Sequence, residues 1–184
     1  MGFIRLIAPT LAALGAATGA VASPAGPAPK PATATCSGAK LGVTAVVALK
    51  APKPVQRMHR AIMAAARDCD FERLERLGRE GRPGFSFTFG GDRSAAALWR
   101  GQERAGGRFA ERLIRLLRLD FGRSGSTWVW PAAFSQTATE ADWEALLPIF
   151  GRAQVVTWRD YEGYTGLRVG IAADGDWLYA IEGD

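Results

Sequence analysis

Apolar residues recur at helical spacing through the first half of the chain and at alternating spacing through much of the second. Met58, Ile62, Ala65, Ala66 and Cys69 fall at i, i+4, i+7, i+8 and i+11, which lays one apolar stripe along a helix. Asp68 to Asp70 marks a break, and Asp70 is placed to cap a second helix carrying Phe71, Leu74 and Leu77. Gly81, Pro83 and Gly84 end it. Phe85, Phe87 and Phe89 then alternate with Ser86 and Thr88, as in a half-buried strand. Ser94 opens a third helix that Gly106 and Gly107 stop. In the fourth, Phe109, Leu113, Leu116 and Leu117 share one face while Arg108, Arg112 and Arg115 take another. A membrane-surface helix is one reading of that pattern. A helix packed on the core with a solvated arginine face is the commoner outcome and is preferred.

Beyond these helices, Thr127 and Val129 alternate with Trp128 and Trp130, and Pro131 closes that strand. Thr139 with Asp142 three residues later reads as an approximate capping box for a further helix. Its acids Glu140, Asp142 and Glu144 suit a helix N-terminus. The run "AQVVTW" (153–158) reads as a strand. At the end, Leu167, Val169 and Ile171 alternate with their neighbours, as do Trp177, Tyr179 and Ile181, around "ADGD". Asp-Gly between two period-two runs signals a hairpin, because glycine tolerates positive φ. A calcium loop of the hand type is excluded, since it needs glycine at position six and glutamate at twelve. Here glycine follows the first acid directly. The pattern predicts an α+β fold, with N-terminal helices packed on an antiparallel sheet that ends in a C-terminal β-hairpin. Trp99, Trp143 and the leucines of the arginine-rich helix are expected in or near its core.

The N-terminus changes the picture. Arg5 precedes the mostly apolar run "LIAPTLAALGAATGA", and Ala20-Val21-Ala22 offers small residues for cleavage after Ala22. Residues 1–22 therefore read as a Sec-type signal peptide; a membrane anchor is disfavoured by Pro9, the glycines and the short run. The mature chain is expected in the periplasm or outside the cell, with no stable membrane span. Residues 23–54, rich in proline and alanine, read as a flexible tether. A single globular domain is expected over 55–184. The net charge of +5 is uneven. Val55–Leu119 holds fourteen arginines against eight carboxylates, whereas Asp120–Asp184 holds four against ten, so the halves have opposite sign and are suited to each other. With no recognised motif and no basic stripe interleaved with aromatics, nucleic acid is not an expected partner. Cys36 and Cys69 leave two readings open: one disulfide, which suits an exported chain, or a small buried Cys69 with a free Cys36.

Candidate chemistry is sparse. His59 lacks metal-ligand company, does not share a helix face with Cys69, and is expected at a surface or boundary. No hydrolase nucleophile motif, phosphate loop or dinucleotide glycine pattern occurs, and no cofactor or metal is expected. The most suggestive stretch is "TWRDYEGYTGLR", in which Trp158, Tyr161 and Tyr164 interleave with Arg159, Asp160, Glu162 and Arg168. Aromatics beside paired charges are what sugar or peptide recognition uses. Asp160 and Glu162, two apart on an expected strand, are also a candidate general acid/base pair for a small envelope hydrolase. Aromatics covering one end of the core are the commoner use of such a run.

Val129-Trp130-Pro131, Gly163-Tyr164-Thr165-Gly166, Asp174-Gly175-Asp176-Trp177 and Gly183-Asp184 together resemble small exported bacterial proteins of unknown function; Phe87–Asp92 extends the likeness. Leu167 departs from it, since an aromatic is expected after Gly166. The resemblance implies an exported α+β domain and supplies no activity. The reading that follows is a non-catalytic binding or interaction module at the cell envelope, whose partner is an envelope component or a protein.

Overall fold

A computed structural model describes residues 36–41, 49–81, 83–90 and 93–183. The expected signal peptide and most of the expected tether lie outside the described residues. The first helix, α1 (Lys53–Asp68), begins two residues ahead of the expected domain start. Pro54 fits its first turn because the amide that proline lacks has no partner inside a helix there. Gln56 ties the preceding residues down, its amide nitrogen donating to the carbonyls of Leu49 (3.1 Å) and Ala51 (2.7 Å).

Asp70 caps α2 (Phe71–Arg79) as expected, accepting the Arg73 amide at 2.8 Å. Ser94 likewise caps α3 (Ala95–Arg104). The next helix, α4 (Phe109–Leu117), starts from Arg108 in the left-handed region at φ 51°, and Arg108 provides no side-chain cap. The caps arrive instead from outside the helix, one from the end of α3 and one from far along the chain. Glu103 Oε1 accepts the Ala110 amide at 2.7 Å, and Ser37 Oγ accepts the Glu111 amide at 3.0 Å.

Four antiparallel strands follow in the order β1 (Gly122–Ser124), β2 (Thr127–Trp130), β3 (Arg168–Ile171) and β4 (Trp177–Ile181). Trp128 pairs with Ile171 and Trp130 with Val169; Arg168 pairs with Ile181 and Gly170 with Tyr179. The α+β class is therefore as expected, with the helices of the first half preceding the sheet. The C-terminal hairpin is also present. Its turn closes through the Gly175 amide on the Ala172 carbonyl at 2.9 Å, with Gly175 at φ 101°. Simple alternation fails on β3, where every residue is buried. Both of its faces are covered, as happens to inner strands that lie between two layers.

Two other expected strands are corrected. The phenylalanine run forms one parallel bridge, Ser86 to Tyr179, against the free edge of β4. Ser86 donates to the Leu178 carbonyl at 3.0 Å and accepts the Ala180 amide at 2.9 Å. The run "AQVVTW" is helical. After α5 (Glu140–Glu144) and α6 (Leu147–Phe150), it forms α7 (Arg152–Thr157), which continues into a π-helical turn, Trp158–Glu162. Val155 and Trp158, three apart, are both buried, a helical spacing that the β-branched composition conceals.

The core lies between α1, α3, α4 and the sheet. Trp99 stacks on Phe109 at 4.9 Å and on Trp177 at 6.1 Å. Leu113, Leu116 and Leu117 are fully buried. Burying each contributes roughly 1.5–3 kcal/mol, so the apolar face of α4 is spent on the core and is not offered to a membrane. Trp143 is only partly buried against that core.

His59, expected at a surface or boundary, lies in the interior. It is buried, lies 5.3 Å from the Trp130 ring, and places Nε2 2.7 Å from the Leu117 carbonyl. The stripe of α1 is wide enough that a residue one position beyond Met58 still turns inward.

Cys36 and Cys69 are joined in a disulfide with Cα atoms 6.0 Å apart. Cys69 terminates α1 in the left-handed conformation, φ 58°. Part of the expected tether, residues 36–41, is therefore held on the domain: Ser37–Lys40 forms a 3-10 turn in which Ser37 and Gly38 are buried. The described residues belong to one unit, Thr33–Asp184.

Candidate functional site

The stretch singled out in the sequence leaves α7 at the π-helical turn. That turn closes when the Gly163 amide meets the Trp158 carbonyl at 2.8 Å, and Gly163 turns the chain at φ 74°. Single π turns recur at functional sites because they swing a side chain out of helical register. Here the register change separates an inner set of residues from an outer one.

The inner set is aromatic. Trp158 and Tyr164 meet edge to face at 4.9 Å, and Phe150 meets Trp158 in the same way at 5.1 Å. Trp143 and Phe134 complete the cluster around Tyr164 at 6.4 and 6.5 Å. The Tyr164 hydroxyl donates to the Leu167 carbonyl at 2.7 Å. Burial, reinforced by Glu182, pushes that hydroxyl well above the ordinary tyrosine range, so it stays protonated. Arg168 is buried too. Its guanidinium donates to the carbonyls of Gly166 (3.3 Å) and Gly183 (2.8 Å), and lies over the rings of Phe134 at 5.2 Å and Phe89 at 5.7 Å. Trp158, Tyr164 and Arg168 thus build the end of the core.

The outer set is what solvent meets. Tyr161 is 84% exposed and Phe89 58%, the large hydrophobic side chains left open among the described residues. Asp160 is exposed and held by its neighbour: Arg159 Nε donates to Asp160 Oδ1 at 2.7 Å, while Nη1 reaches Glu140 of α5 at 2.5 Å. The Arg159 hydrogen bond lowers the Asp160 carboxyl below the usual range, and the two carboxylates keep Arg159 protonated. On a helical turn, positions two apart do not share a face, so the strand geometry expected to align Asp160 with Glu162 is absent. The Glu162 side chain lies outside the described residues.

Of the six candidates, then, three are interior, and Asp160 and Tyr161 are exterior. Phe89 was expected to share a half-buried face with Phe85 and Phe87, and Arg159, one of the charges of the stretch, was not among the candidate site residues. Its pairing with Glu140 of α5 is a contact nineteen residues back in the chain, which no local spacing signals. Among the described residues no group of three or more His, Cys, Asp or Glu side chains is placed to hold a metal, and no helix is long and apolar enough to cross a membrane. Comparison with protein-family models, curated proteins and solved structures finds no match for the chain.

Proposed function

We propose that the protein is an exported, non-catalytic module that binds a component of the cell envelope, with the solvent side of the Trp158–Glu162 turn as its contact surface. The observation that carries this reading is Tyr161: a ring 84% exposed on a turn anchored from beneath by Trp158 and from the side by the Arg159–Glu140 pair. A tyrosine has only two side-chain torsions to fix on binding and offers both an apolar face and a polar tip. Arg159 and Asp160 add directional hydrogen bonding beside it, a combination suited to the glycan or peptide of the wall. The ion pair that depresses Asp160 works against its use as a general acid near neutral pH, which favours binding over hydrolysis. A disulfide suits the oxidising compartment that the N-terminal pattern implies.

Co-sedimentation of the mature chain, Ser23 to Asp184, with purified wall sacculi tests the reading. Wild type is expected in the pellet with no soluble fragments released. Tyr161→Ala should lower the bound fraction about tenfold, the loss typical of one exposed aromatic anchor, without moving the melting temperature. Released fragments would replace binding with hydrolysis by the Asp160/Glu162 region. No sedimentation at all would redirect the reading to a protein partner.

A further inference from the structure

The short segment Cys36–Leu41 lies across α1 and the start of α4 like a strap, and the helix it crosses depends on it. Ser37 donates its amide to Glu103 Oε2 at 3.0 Å and its hydroxyl to Glu103 Oε1 at 2.8 Å. The same hydroxyl accepts the Glu111 amide, while Glu103 accepts the Ala110 amide. Four hydrogen bonds thus join the strap, the end of α3 and the first turn of α4 in one network. They supply the cap that Arg108, in left-handed conformation, does not. Gly38 fits because it has no side chain: a Cβ there would stand 2.3 Å from the Ala66 carbonyl oxygen and 3.1 Å from the Ala110 Cβ.

We propose that the Cys36–Cys69 disulfide is a redox latch, which in the oxidised form holds the strap as the cap of α4 and on reduction releases it while the sheet stays folded. Six residues of ordered backbone are set against a few side-chain hydrogen bonds and two partly buried apolar side chains, Cys36 and Leu41. Without a covalent tie, that balance turns toward release. The consequence is local. The Glu111 amide loses its acceptor, Ser37 Oγ, and Glu103, which accepts the Ala110 amide, loses the two Ser37 donors that hold its carboxylate. The Gly38 seat between Ala66 and Ala110 opens, and the first described residues held to the domain become Leu49 to Ala51, through Gln56. The strap's side-chain hydrogen bonds run to Glu103 of α3 and Glu111 of α4, not to the sheet residues Trp130 and Trp177.

The exchange is a two-electron reduction by a dithiol. One thiolate of the reductant attacks one sulfur of the Cys36–Cys69 bond, which breaks. The mixed disulfide is then displaced by the second thiolate, the reductant closes to its own disulfide, and two protons finish on Cys36 and Cys69.

Hydrogen exchange of the folded mature chain before and after dithiothreitol, with thiols counted by mass after alkylation, tests the latch. Reduction is expected to speed exchange at Ser37, Ala39, Leu41, Ala110 and Glu111 by about tenfold or more, as local opening does, while the amides of β2 and β3 keep their protection. The Cys36→Ser/Cys69→Ser double variant should reproduce that pattern without reductant. If this variant does not fold, reduction of the folded wild type carries the test. Unchanged exchange at Glu111, whose amide is bonded to the strap itself, would overturn the proposal, since the strap would then be seated by its other contacts. Loss of protection throughout β2 and β3 would overturn it as well, making the disulfide a staple for the whole fold. So would a disulfide that dithiothreitol does not reduce in the folded protein.

Discussion

His59 shows how much one position depends on what surrounds it. The Leu117 carbonyl can only accept, so Nε2 carries the proton and Nδ1 is the free lone pair. Nδ1 is buried with no hydrogen-bond partner among the described residues, and protonating it would place a charge where nothing accepts it. Desolvation accordingly lowers the His59 pKa below its ordinary value of 6.5, and the nearby Arg60 works the same way. In the unfolded chain the ring titrates normally. Between the depressed folded value and 6.5 the unfolded state therefore binds more protons, and stability falls as pH drops through that window. Above it the residue contributes no pH dependence. Urea titrations at several pH values should show up to about 1.4 kcal/mol per pH unit of acid destabilisation from this one group. His59→Gln, whose amide can still donate to Leu117, should flatten the curve below pH 6.5, and an unaltered slope would mean that the ring is not the group responsible. None of this was legible in the sequence. A single histidine between Met58 and Arg60 looks solvated, and only the packing of α1 on α4 covers it.

At the level of elements, local signals were readable wherever one residue type settles the geometry. Asp70, Ser94 and Thr139 cap the helices they precede, and Gly175 turns the hairpin. They were not readable where two periods compete. In 153–158 the adjacent valines favour a strand, but Gly151 at φ 81° resets the chain direction and the Thr157 hydroxyl donates back to the Ala153 carbonyl at 3.0 Å, which suits a helix. The cap of α4 was invisible for another reason: its acceptors are Glu103, at the end of the preceding helix, and Ser37, far away in the chain. The capping box on α5 is reciprocal, with the Thr139 amide donating to Asp142 Oδ2 at 2.8 Å and the Asp142 amide to the Thr139 hydroxyl at 3.4 Å. Because α5 has only five residues, the box is a large share of what holds it. Thr139→Ala is expected to cost about 1 kcal/mol in chemical denaturation. It should also loosen the turn that bears Tyr161, through Glu140 and Arg159, and so weaken the proposed wall binding further than its stability cost implies. Equal stability in the two proteins would show that α5 is held by its packing alone.

Over the whole molecule, the opposite charges of the two halves meet in at least one place, where Arg112 of α4 grips Glu182 beyond β4 with two hydrogen bonds. Much of the remaining charge is matched closer to home, as where Arg115 and Arg108 both hold the buried Glu111. Charge balance between halves therefore says less about docking than their sum suggested, and an exposed pair contributes under about 1 kcal/mol. The covalent ring matters more. Cys36 and Cys69 are 33 residues apart, and α1 lies within the ring. Composition left the pairing open because a proline- and alanine-rich segment has no obvious reason to lie near the end of α1; the seat for Gly38 and the Ser37 network provide one. Closing a loop of this length restricts the unfolded chain by roughly 3–4 kcal/mol on the entropy model. For a domain of this size each kcal/mol moves the midpoint by about 2–4 °C, so calorimetry of the Cys36→Ser/Cys69→Ser variant should show a midpoint lower by roughly 8–15 °C, still in one cooperative transition. A midpoint within about 2 °C of wild type would mean that constraint of the unfolded state is offset by strain where the strap is seated. In that case release of the strap would relieve the folded domain as well as the unfolded chain, and the exchange experiment would show an open strap over an unweakened sheet.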